Sequence, residues 1–156
     1  MIKTIPYPAP NFSLPDATGT LRSLNEFAGR WIVLYFYPKD DTPGCTTEAC
    51  SLRDVSDEFV DLDATVIGVS RDDATSHQAF SHKYHLNFTL LSDTDHAVMS
   101  AYGAWGTKMF GKEGVLRKTF IIDPKGEVVK VYPRVTPLGH GGQVIADLRA
   151  LRKLAS

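Results

Sequence analysis

Two cysteines, Cys45 and Cys50, are the residues of this sequence best suited to covalent chemistry, and they stand five positions apart directly after the segment PKDDTPG. Cys45 falls in the first turn of an expected helix, where unpaired backbone N–H groups and the helix dipole favour an anion. A thiolate is such an anion, and it is the nucleophilic form of cysteine. Thr42 brings a hydroxyl three residues upstream, while Pro38 and Pro43 stiffen the loop and remove two N–H donors. Thr42 also suits the role of helix cap. Most cysteines are small buried fillers. The helix-start position, the two prolines and the second sulfur point instead to a reactive thiol.

The spacing of the pair constrains what it can do. Five residues along a helix separate two Cα atoms by a rise of roughly 7.5 Å and turn their side chains about 140° apart. A disulfide needs Cα atoms within about 4.4–6.8 Å. Joining Cys45 to Cys50 therefore requires the turns through Thr46, Thr47, Glu48 and Ala49 to unwind, a local unfolding coupled to oxidation. No Cys-x2-Cys is present, which counts against a dithiol reductase or isomerase. Two sulfurs do not complete a four-ligand structural zinc site. The histidines His77, His82, His85, His96 and His140 form no HExxH or other metal pattern, and exposed helix or loop positions account for them. No metal and no cofactor are expected.

These residues need a scaffold, and the hydrophobic pattern supplies one. The run IVLYFY over 32–37, bounded by Gly29 and Pro38, reads as a strand buried on both faces. From Cys45 to Leu62, the residues Ala49, Leu52, Val55, Phe59 and Leu62 recur at helical spacing. TVIGVS over 65–70 is a second buried strand, 74–84 a helix, and FTLLS over 88–92 a short strand. RKTFIID over 117–123 and EVVKVY over 127–132 flank the turn residues Pro124, Lys125 and Gly126 as a hairpin, and a helix closes the chain over about 140–154. Alternating strands and helices followed by an antiparallel hairpin predict a three-layer α/β fold with a mixed central sheet flanked by helices. The glycine-rich stretch Gly103 to Gly114 reads as a functional loop, with Trp105 anchoring it to the core.

A chain of 156 residues suits a single domain over 1–156. Lysine plus arginine number 17 against 18 acidic residues, which leaves no basic excess for nucleic acid. Prolines occupy the N-terminus where a signal peptide needs its apolar run, and no stretch is long enough to span a membrane. A soluble cytoplasmic protein is expected.

At PKDDTPGCTTEAC the sequence resembles peroxiredoxins of the bacterioferritin-comigratory, or Q, subgroup. The resemblance covers nearly the whole chain. It rests on Pro-x3-Thr-x2-Cys at Pro38, Thr42 and Cys45, on Cys50 five residues further, and on Arg117 opening the strand RKTFIID. It implies a thioredoxin-like fold with an N-terminal extension and reduction of hydrogen peroxide and organic hydroperoxides. In that scheme Cys45 attacks the peroxide and becomes a sulfenic acid, and Cys50 resolves it to an intramolecular disulfide. Arg117, Thr42 and the Cys45 N–H stabilise the reacting oxygens, and Pro38 shields the pocket. Glu48, whose place in the first helical turn already suits the dipole, is implied to bridge toward Arg117. Thioredoxin or a similar dithiol returns the electrons, and the subgroup is often monomeric. Two other functions fit the same cysteines: a thioredoxin-like disulfide oxidoreductase, and a redox sensor or chaperone that uses Cys45 oxidation to expose a surface.

Overall fold

The computed structural model describes residues 3–155. The strand Trp31–Phe36 (β4; β1 to β3 precede it) has every side chain buried, as its continuous apolar run requires. It pairs in parallel with Ala64–Ser70 (β5), which pairs in parallel with Thr89–Ser92 (β6). On its other side β4 runs antiparallel to Lys118–Ile122 (β9), which turns through Gly126 into Glu127–Tyr132 (β10). Gly126 adopts φ +88°, a left-handed value that suits glycine. The short strand Tyr7–Pro8 (β1) closes the edge against β10, giving the order β1-β10-β9-β4-β5-β6.

Helices and loops cover both faces. One face packs Trp31, Val33, Tyr35 and Ile121 against the helices Pro43–Asp54 (α1), Ser56–Asp61 (α2), Ala74–Tyr84 (α3) and His140–Ala155 (α5). The opposite face packs Ile32, Leu34, Phe36 and Phe120 against Ala97–Tyr102 (α4) and the N-terminal segment. That segment contains a small hairpin, Ser13–Pro15 (β2) with Leu21–Ser23 (β3). This is the three-layer α/β arrangement with a mixed central sheet that the pattern predicted; its thioredoxin-like form is what the resemblance implied.

Two local features depart from the sequence reading. The helix expected over 45–62 breaks at Val55, where φ −110° and ψ 22° and a bond from Val55 N to the carbonyl three residues back, Leu52 O, at 3.3 Å end α1. β-branched valine is a poor helix former, and the bend lets Leu52 and Phe59 both reach the sheet core. The stretch 103–114, read as a loop, contains a second hairpin, Trp105–Thr107 (β7) with Glu113–Val115 (β8). Trp105 packs toward the core face opposite Cys45, stacked on His96 at 3.9 Å and under the Arg71 guanidinium.

The start of α5 lies tightly on the middle of α1. A Cβ on Gly141 would come 2.1 Å from the Ser51 carbonyl oxygen, so only glycine permits this approach. The Gly141 amide donates to the Ser51 hydroxyl at 3.1 Å, and that hydroxyl donates to the Glu48 carbonyl at 2.8 Å.

Candidate active site

The first turn of α1 sits at the end of β4, as the intervening loop dictates. Thr42 is the N-cap and Pro43 opens the helix, where its missing N–H is no loss. Thr46 N makes a bond back to the Thr42 carbonyl at 2.8 Å. The amides of Gly44 and Cys45 fall before it, in the turn whose donors have no intrahelical partner. Cys45 is 1% exposed. Because Lys118 pairs with Phe36 across the β4–β9 ladder, Arg117 is brought level with this loop. Its Nη2 lies 3.3 Å from Cys45 Sγ and its Nη1 donates to Glu48 Oε1 at 2.6 Å. A Cβ on Gly44 would press on that same Nη2 at 3.3 Å, so glycine leaves the guanidinium its place.

One cation is thus shared between a sulfur and a carboxylate. Glu48 stands three residues after Cys45, on the same side of the helix, with its side chain fully buried. Burial raises its carboxyl from the ordinary 4.5 to about 7, with the Arg117 charge and hydrogen bond pulling the other way. Its Oε2 and the Tyr35 hydroxyl are buried without a hydrogen-bond partner among the described residues. Burial, then the charges of Glu48 and Cys45, hold the Tyr35 phenol well above its usual ionisation range, so Tyr35 stays neutral. The raised Glu48 value couples folding to pH. A carboxyl easier to protonate when folded adds stability that is fully present below about pH 4.5 and lost as pH rises through about 7. Unfolding of the reduced protein in urea should show this group withdrawing on the order of 3 kcal/mol between pH 4.5 and 8. Glu48→Gln should flatten that slope, and an unchanged slope would refute the assignment.

Thr42 and Pro38 lie half-buried in the same loop. The Thr42 hydroxyl donates to the Lys39 carbonyl at 2.8 Å rather than capping α1, so its proton is committed and its lone pairs remain to accept. Cys50 is half-buried and both cysteines are unbonded, with α1 helical across the two. The structure therefore brings Cys45, Glu48 and Arg117 into direct contact, keeps Pro38 and Thr42 in the loop that leads into α1, and places Cys50 on another side of the intact helix.

The histidines correct the expectation of exposed positions. His82 and His85 are exposed and His96 is half-buried, but His77 and His140 are buried at 0% and 1% exposure. His140 stands behind the site. Its Nε2 lies 2.9 Å from the hydroxyl of Thr119, two residues along β9 from Arg117, and its Nδ1 lies 3.2 Å from Gln143 Oε1. Burial first, and the Arg117 charge after it, lower its proton affinity. His77 bonds Asp40 of the loop at 2.7 Å. A cavity of about 650 Å³, lined by Tyr7, Tyr102, Lys118, Phe120 and Lys130 among others, lies across the sheet from Cys45 and takes no part in this geometry.

Residues 5–131 match the AhpC/TSA family. The chain is 46% identical over 143 residues to a putative peroxiredoxin bcp of Coxiella burnetii, covering 90% of this chain and 95% of that one. It is 43% identical over 144 residues to peroxiredoxin Bcp of Bacillus subtilis, covering 90% and 92%. Among solved structures it is similar to the Xanthomonas campestris bacterioferritin comigratory protein, studied for its alkyl peroxide reduction activity. There the TM-score is 0.85 at 42% identity over 89% of this chain and 90% of that one. A Xylella fastidiosa PrxQ variant superposes with a TM-score of 0.88 at 32% identity, covering 96% and 99%.

Proposed function

The chain belongs to the AhpC/TSA family, in its Bcp/peroxiredoxin Q subgroup, and is a thiol-dependent peroxidase; from that premise we propose that Cys45 is its nucleophile and Cys50 its resolving thiol. What carries the assignment is Arg117, held between Cys45 Sγ and the buried carboxylate of Glu48. The Cys45 thiolate attacks the terminal oxygen of a hydroperoxide. An S–O bond forms as the O–O bond breaks, and the electron pair passes to the departing oxygen, which takes a proton and leaves as water or an alcohol. Arg117 is a permanent cation beside that developing charge. The Cys45 N–H donates to the same oxygens, and Thr42, its own proton held by Lys39, accepts from the hydroperoxide O–H. Pro38 screens the pocket from water.

The sulfenic acid on Cys45 then condenses with the Cys50 thiol, forming an S–S bond and releasing water. Helical geometry keeps the two apart, so the first turns of α1 unwind for this step. A dithiol such as thioredoxin reduces the disulfide and regenerates both thiols. With its resolving cysteine in the same chain the protein works as a monomer, and its need for a dithiol reductant fits the cytoplasm.

The test is consumption of hydrogen peroxide in the presence of thioredoxin, thioredoxin reductase and NADPH. Wild type should turn over many equivalents. Cys50→Ser should consume about one equivalent fast, hold a sulfenic acid detectable by mass, and then stop or overoxidise. Continued thioredoxin-linked cycling by Cys50→Ser would remove Cys50 from the scheme.

A further inference from the structure

The loop that delivers Cys45 is fastened at its start to α3. Asp40 is 6% exposed, and its carboxylate meets three donors: the Tyr37 hydroxyl on Oδ1 at 2.5 Å, and Ser76 Oγ and His77 Nδ1 on Oδ2 at 2.9 and 2.7 Å. His77 Nε2 lies 3.0 Å from the Leu91 carbonyl. A carbonyl only accepts, so Nε2 carries a hydrogen, and a further proton must lie between Nδ1 and Oδ2. The Asp40 amide donates to Asp72 Oδ2, itself held by the Ser70 hydroxyl. The next residue, Asp41, adopts φ 55° and accepts from Lys83 Nζ and the Tyr84 hydroxyl, both at 2.8 Å. Asp40, Asp72 and His77 are close enough together to suggest a metal site, but these hydrogen bonds already engage the atoms that would bind one.

We propose that His77 is a positioning residue for the peroxide step: through Asp40 it fixes the loop that carries Pro38 and Thr42 into the first turn of α1, where Cys45 stands. The proposal rests on Cys45 as nucleophile. It also marks where unwinding stops on the upstream side, since Asp40 and Asp41 stay on α3 while the turn beyond them opens. Loosening this anchor takes the loop out of the geometry in which the sulfur reacts, so it slows attack on peroxide and leaves the resolving step as fast or faster. Overoxidation requires the same folded pocket, so it falls as well.

Two variants separate the two bonds of the ring. His77→Asn carries an amide donor near the place of Nδ1 and keeps Asp40 while giving up Leu91. His77→Gln reaches toward the Leu91 carbonyl and gives up Asp40. Stopped-flow mixing of the reduced full-length proteins with hydrogen peroxide should show His77→Gln slowed about tenfold in sulfenic acid formation and unslowed in disulfide formation, with several-fold more peroxide needed for half overoxidation. His77→Asn should stay within about threefold of wild type in all three. If His77→Gln does not fold, Ser76→Ala, which removes a donor from Asp40 alone, decides with an expected loss of about threefold. A wild-type peroxide rate in His77→Gln, or in Ser76→Ala where that variant is needed, overturns the proposal. Equal slowing of the two His77 variants does the same, because it marks a general packing defect. Failure of the nucleophile assignment would show separately, as a peroxide reaction surviving Cys45→Ser.

Discussion

Replacing Cys45 with serine should bring peroxide reduction below detection, a loss of about 10⁴-fold or more, with the fold unchanged. The site is nearly closed, at 1% exposure, and exchanging sulfur for oxygen removes volume without adding any. A serine hydroxyl beside Arg117 keeps its proton at neutral pH, so no anion is available to attack the O–O bond. Peroxide consumption and the mass of the treated protein report the outcome together: wild type gains one oxygen or loses two hydrogens as the disulfide forms, and the serine variant does neither. Residual turnover carried by Cys50 would reverse the roles of the two thiols.

Arg117→Met should lower kcat/KM for peroxide by about 10²- to 10³-fold, the scale of losing one preorganised donor at a developing negative charge. It should also destabilise the protein. Among the described residues Arg117 is the one side chain bonded to the Glu48 carboxyl, and removing it leaves that buried group to take a proton and lose its partner, a cost of about 1–3 kcal/mol. The double variant Arg117→Met with Glu48→Gln separates the two effects. Stability, read from urea midpoints, should largely return, since a neutral amide at 48 has no charge to be matched by a cation. The peroxide rate should remain low, since nothing has replaced the guanidinium beside Sγ. If stability and rate recover together, Arg117 acts only by holding the fold.

The long apolar strands were legible because burial on both faces leaves an unbroken run: the segment expected over 32–37 forms over 31–36, and that over 65–70 forms over 64–70. Short elements left no such mark. The two or three residues of each of β1, β2, β3, β7 and β8 are too few for alternation to register, and Gly106 and Gly114 made the last pair look like loop. In the site, Cys45, Thr42 and Pro38 stood out because they are neighbours in sequence. Arg117 lies 72 residues from the sulfur it touches, and only the family resemblance selected it. Glu48 was explained well enough by the helix dipole, and nothing local announced that the sheet would bury it. His77 and His140 were misjudged for a related reason. A solitary histidine carries no sign of burial, and the partners that make burial tolerable, Asp40 and Thr119, stand 37 and 21 residues away.

The glycine contact between α5 and α1 bears on who can intercept the oxidised sulfur. Gly141 holds Ser51 where it is, so Cys50, the residue before it, is kept at a nearly fixed point while Cys45 swings on the few residues between. A tether that short confers an effective concentration in the millimolar range or above. A small thiol or a second protein molecule must reach comparable levels to compete for the sulfenic acid. In the proposed scheme disulfide formation is therefore first order in protein and insensitive to dilution, and the outside reductant meets a finished disulfide rather than a race for the sulfur.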